Sequence, residues 1–91
     1  MNRGVRVTIE FFGVPRFRAR RAELAVEAAT VREALAEAER ACPGLGGLLQ
    51  AGGRLSPHYL LSLEGQQFVA DLGQPLRAGE RLLLLSADAG G

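Results

Sequence analysis

The apolar residues of this chain change their period once and then change it back. Val5, Val7, Ile9 and Phe11 alternate with Arg6, Thr8 and Glu10, a period of two that turns one face of a β-strand toward a core. Gly13, Val14 and Pro15 end that run. A second alternation over residues 22–27, with Leu24 and Val26 on one face, reads as the returning strand of a hairpin. The stretch between them holds Arg16, Arg18, Arg20 and Arg21 and reads as the connection, either a solvated loop or a surface for an acidic partner.

The period then becomes helical. Thr30-Val31-Arg32-Glu33 has capping-box spacing, in which hydroxyl and carboxylate each satisfy a free backbone N–H at a helix start. Val31, Ala34, Leu35, Ala38 and Cys42 follow at three- and four-residue intervals, with Arg32, Glu33, Glu37, Glu39 and Arg40 on the other side, until Pro43 and Gly44 stop the helix. Residues 43–57 are loop-like, rich in glycine, around an apolar piece at 45–49 that is predicted to form a single helical turn. Residues 59–63 are strand-like, and Glu64-Gly65 predicts a tight turn into Gln67, Phe68 and Val69. Pro75 and Gly79 mark a turn-rich crossover before a final strand at 81–86, whose Leu82-Leu83-Leu84-Leu85 run predicts a central strand covered on both faces. The order strand, strand, helix, strand, strand, strand predicts an α+β chain of β-grasp type, a mixed sheet with one main helix packed on one face. The expected organisation is a single domain, 1–91, with a flexible C-terminal tail at 86–91.

Composition narrows the chemistry. A chain of 91 residues with 47% hydrophobic residues and a net charge of +1 suits one folded domain, and no apolar run approaches a membrane span. The first ten residues lack the apolar core of a secretory signal, so a cytoplasmic location away from membranes is expected. All 11 basic residues are Arg, which excludes a P-loop lysine or a Schiff-base lysine. One Cys and one His exclude a multi-ligand zinc site, so no metal is expected, and the charge balance supplies no field for nucleic acid. Cys42 lies on the apolar stripe at the negative end of a helix dipole, which disfavours a thiolate and marks a core residue; His58 reads as a surface or loop-packing residue.

After the last strand come Ser86, Ala87, Asp88, Ala89, Gly90 and Gly91. Such a segment, fully extended, reaches ~20 Å beyond a fold. Two glycines can enter a narrow channel and adopt backbone angles closed to other residues, and a terminal glycine carries an unhindered carboxylate. With these residues the chain resembles the MoaD/ThiS family of ubiquitin-like sulfur carriers, in particular the molybdopterin synthase small-subunit branch. The resemblance runs through Val5–Phe11, the capped helix from Thr30, Cys42-Pro43-Gly44-Leu45, Gly53-Arg54-Leu55, Asp71, Pro75-Leu76, Ala78-Gly79-Glu80 and Ala89-Gly90-Gly91. It departs at Glu64-Gly65, where members commonly have Asn-Gly, and at Ser86-Ala87-Asp88, where they commonly have Pro-Pro-Val.

The resemblance implies that the Gly91 carboxylate is adenylated by an E1-like partner and converted to a thiocarboxylate, with Gly90 threaded into the partner's active site. ATP would be used by that partner, this chain binding no cofactor itself. Sulfur would pass to a molybdopterin synthase large subunit, or to another acceptor in tRNA thiolation or thiamine synthesis. A ubiquitin-like modifier joined through Gly91 to lysines of target proteins is the alternative, and an interaction module with an incidental diglycine is a third reading.

If Leu82 and Leu84 pack beneath the helix, Leu83 and Leu85 point to the opposite face, joined by Leu60 or by Tyr59, Leu61 and Leu63. One helix cannot cover both faces. An exposed apolar patch is therefore expected, serving with Ser86, Ala87, Asp88 and Ala89 as a partner or self-association surface, unless residues 43–57 fold over it.

Overall fold

Strand β1 (Val5–Phe11) realises the opening alternation: Val7, Ile9 and Phe11 are buried, while Arg6, Thr8 and Glu10 point away from the core. In the computed structural model, which describes residues 4–87, β1 pairs antiparallel with β2 (Glu23–Ala28) from Val5↔Ala28 to Glu10↔Glu23. On its other edge β1 runs parallel to the final strand, β7 (Arg81–Ser86), with Phe11 opposite Leu84. The far side of β7 pairs antiparallel with β5 (Tyr59–Leu63), and β5 with the short β6 (Gln67–Phe68). The order β2-β1-β7-β5-β6 puts β7 at the centre of a mixed sheet, as its leucine run predicts.

Helix α2 (Val31–Ala41) crosses one face and buries Val31, Ala34, Leu35 and Ala38 against it. Its capping box forms with one displacement. Thr30 Oγ1 accepts from Glu33 N at 3.3 Å, but Glu33 Oε1 reaches back to Ala29 N at 2.8 Å rather than to the cap residue itself. Cys42 closes the helix and is buried in the same cluster as Leu45, Leu48, Leu61, Leu82 and Leu84. The 71–80 crossover is tied to the helix start, where Val31 N donates to Gln74 O and Arg32 N to Leu72 O.

Two expectations need correction, and one alternative falls away. The arginine-rich connection is not a loop: residues Val14–Ala19 form a short helix, α1. Pro15 sits in its first turn, where a missing N–H breaks no hydrogen bond; Phe17 N bonds Gly13 O, and Arg20 closes the turn in the left-handed region at φ 63°. The helical turn predicted within 45–49 lies earlier, as a 3₁₀ turn at Pro43–Leu45, and β3 (Leu49–Gln50) and β4 (Arg54–Leu55) make a separate two-stranded ribbon. Strands this short carry no legible period. The 43–57 segment also does not fold over the outer sheet face. It packs beside α1 and α2, with Leu45 and Leu48 fully buried on the helix side.

Candidate partner surface and tail exit

Because β7 alternates, its four leucines divide. Leu82 and Leu84 have no exposed surface, whereas Leu83 and Leu85 on the opposite face are only half-buried. The strand is thus central but covered on one face, not on both. The register decides which residues accompany them: Leu60 stands opposite Leu85, Ser62 opposite Leu83, and Ser62 also opposite Phe68. Leu60 is 41% exposed and Phe68 69%, while Tyr59, Leu61 and Leu63 are buried beneath the helix. Leu60 is therefore the neighbour, and the Tyr59-Leu61-Leu63 alternative is excluded.

Phe12 extends this strip. It is 40% exposed and donates its N–H to Leu84 O at 3.0 Å, one step past the Phe11↔Leu84 pair and hence next to Leu85. The remaining half of the same face is charged: Arg81 Nη1 donates to Glu10 Oε2 at 2.6 Å and to Glu23 Oε1 at 3.2 Å. The outer face thus has an ion-paired side on β1 and β2 and an apolar side on β7, β5 and β6. The apolar side of this face is left uncovered by any element among the described residues.

At the strip's edge the chain leaves the sheet. Ser86 pairs with Tyr59, and Ala87 N donates to His58 O at 2.8 Å, which directs the backbone past a cleft lined by Val14, Arg18, His58, Tyr59 and Ser86. Arg18 Nη1 lies 3.5 Å from the Tyr59 hydroxyl across that cleft. Of the site residues named from sequence, Leu83 and Leu85 lie on the outer strip, whereas Ser86, on the opposite face with Tyr59, lines the cleft and Ala87 follows it. Asp88, Ala89, Gly90 and Gly91 lie outside the described residues. Sequence reasoning named Arg18 only as part of the arginine cluster and missed Phe12, Phe68 and Val14; extending the β1 parity by one residue would have found Phe12. Among the described residues no cluster of His, Cys, Asp and Glu is arranged to hold a metal, and no helix is long and apolar enough to cross a membrane.

The architecture is that of a ubiquitin-like β-grasp protein. No family model matches the sequence, and no curated protein matches it either. Solved structures do. Small archaeal modifier protein 1 (SAMP1) from Haloferax volcanii superimposes with a TM-score of 0.81 at 27% identity, over 94% of this chain and 99% of that one. A chain of the Amycolatopsis orientalis BexX/CysO complex matches with a TM-score of 0.77 at 22% identity, over 93% of this chain and 99% of that one. A chain of the Helicobacter pylori complex of subunits 1 and 2 of molybdopterin-converting factor matches with a TM-score of 0.66 at 22% identity, over 96% and 100%. These neighbours are MoaD/ThiS-like, ubiquitin-like sulfur carriers and modifiers, the kind of protein the sequence resembles.

Proposed function

We propose that this chain is a sulfur carrier that acts through the carboxylate of Gly91, serving as the small subunit of a molybdopterin synthase. The observation that carries the reading is the placement of β7: the central strand of a ubiquitin-like sheet leads, past an uncovered apolar strip, into Asp88-Ala89-Gly90-Gly91. A carboxylate is a poor electrophile, and this sequence has no lysine for a phosphate-binding loop, so an E1-like partner would supply ATP and its binding site. In the activation step a Gly91 carboxylate oxygen attacks the α-phosphorus of ATP, the α–β anhydride breaks, and pyrophosphate leaves. A sulfide equivalent from a donor then displaces AMP and leaves a thiocarboxylate, which a synthase large subunit or another acceptor consumes.

Two neighbours are chains within complexes, which supports a partner-dependent role and a docking function for Leu60, Leu83, Leu85, Phe12 and Phe68. The likeness to a protein named as a modifier, at 27% identity, favours one second reading, in which the activated Gly91 is transferred to a lysine of a target protein. Both readings require activation of the same carboxylate. ATP–pyrophosphate exchange by an E1-like enzyme of the same organism is expected to depend on this chain and to vanish when Gly91 is deleted. Exchange that persists undiminished with the deleted chain would overturn both.

A further inference from the structure

Helix α1 buries Pro15 and Ala19 and turns everything else outward. Arg16, Phe17 and Arg18 are exposed, followed by exposed Arg20 and Arg21, and Phe17 at 84% is the most exposed of the large apolar side chains described. No acidic residue occurs between Phe11 and Ala22. Three other arginines are engaged: Arg40 pairs with Glu37, Arg81 with Glu10 and Glu23, and Arg32 donates to Gly53 O. Among the described residues none of the α1 arginines enters an ion pair; Arg18 only approaches the Tyr59 hydroxyl. Four of the 11 arginines lie here, and since the whole chain carries only +1, the rest of the molecule is net acidic.

Position gives the cluster meaning. Val14 and Phe17, three residues apart, share one side of the helix, and Val14 and Arg18 line a cleft together with Ser86, the last residue of β7. The helix is also held in place. Gly44 lies so close against the Arg18 carbonyl that a Cβ there would collide with it, so α1 sits directly on the 3₁₀ turn at Pro43–Leu45. An exposed aromatic with arginines on either side of it in sequence, carried on a fixed backbone support, is a surface on which binding orders side chains but not backbone.

We propose that α1 docks onto an acidic surface of the adenylating enzyme that receives the tail, with Phe17 entering an apolar socket and carboxylates of that enzyme pairing with Arg16, Arg18, Arg20 and Arg21. This rests on the assignment of Gly91 as the reacting end. An acidic protein surface fits better than single-stranded nucleic acid. One aromatic offers a platform for a single base, and the net-acidic remainder of the chain repels a phosphate backbone. Charges at the rim of an interface act chiefly on the rate of encounter, so α1 would set how readily the tail finds its channel and leave the adenylation step itself untouched.

The test is the steady-state adenylation assay at physiological and at high ionic strength, with the full chain as the varied substrate. Arg16→Glu/Arg21→Glu is expected to raise KM on the order of tenfold, leave kcat unchanged and flatten the salt dependence of kcat/KM. Phe17→Ser raises KM at both salt concentrations. Arg16→Lys/Arg21→Lys keeps the charge and stays within about threefold of the parent. Circular dichroism melts confirm that each variant is folded. Unchanged KM and salt dependence in the charge-reversed chain overturn the docking surface while the Gly91 assignment stands; a parent chain that is never adenylated overturns both. Binding of labelled oligouridylate that charge reversal abolishes, with KM unaffected, reassigns the surface to RNA and likewise overturns the proposal.

Discussion

Leu84 and Leu85 are adjacent in one strand, yet the structure gives them opposite work, and truncating each in turn measures the difference. Leu84 has no exposed surface and packs in the cluster with Leu35, Leu45 and Leu61, so Leu84→Ala removes buried methyl groups and leaves a cavity. Such truncations cost about 2–5 kcal/mol. In a chain of 91 residues each kcal/mol lowers Tm by about 4–8 °C, so a fall of at least about 8 °C is expected. Leu85 is half-buried on the uncovered face opposite Leu60, so Leu85→Ala gives up only part of its transfer free energy, about 1 kcal/mol or less. Equilibrium urea unfolding followed by circular dichroism reads both, provided the m-value stays constant. Leu85→Arg should then keep the unfolding midpoint near that of the parent while abolishing binding to the adenylating enzyme and to a synthase large subunit. Equal destabilisation by the two alanine variants would mean that the outer face is covered in the free protein. A negligible cost for Leu84→Ala would mean the strand is shifted by one residue, since a one-step slip exchanges the two faces.

Further outcomes follow from local geometry. Thr30→Ala removes the oxygen that accepts from Glu33 N at 3.3 Å and should cost about 1 kcal/mol in the same urea titration. Gly44→Ala drives a Cβ into the Arg18 carbonyl and should destabilise by about 1–3 kcal/mol, whereas Gly46→Ala, whose Cβ would meet Pro43 O at an ordinary 3.4 Å, should be neutral or slightly stabilising. Cys42 is buried at the end of α2, so its reaction with a disulfide reagent should be slow in the folded chain and should accelerate in denaturant.

The parts of the fold legible in the sequence are those with long periods or paired signals. Val5–Phe11 states its alternation over several residues, and Thr30 with Glu33 states a helix start that the structure realises nearly as written. Helix α1 was illegible for the opposite reason: it is six residues long, its only buried positions are Pro15 and Ala19, and four arginines over so short a span read as solvated coil. The β3–β4 ribbon is two residues on each side, too short for a pattern. On the candidate surface, the parity of 82–85 separated Leu83 and Leu85 from Leu82 and Leu84 correctly. Choosing Leu60 over its neighbours required the register with β7, which depends on long-range pairing that no local signal encodes.

The central assignment is chemical, and intact mass spectrometry of the chain isolated from its native host addresses it directly. A sulfur carrier working through Gly91 should show a population heavier by one oxygen-to-sulfur exchange, mapped by fragmentation to the terminal residue and lost on mild hydrolysis. A chain found only as the unmodified carboxylate, under conditions where sulfur-containing cofactors are being made, would contradict the carrier assignment, and isopeptide adducts at Gly91 without any sulfur exchange would replace it with the modifier reading.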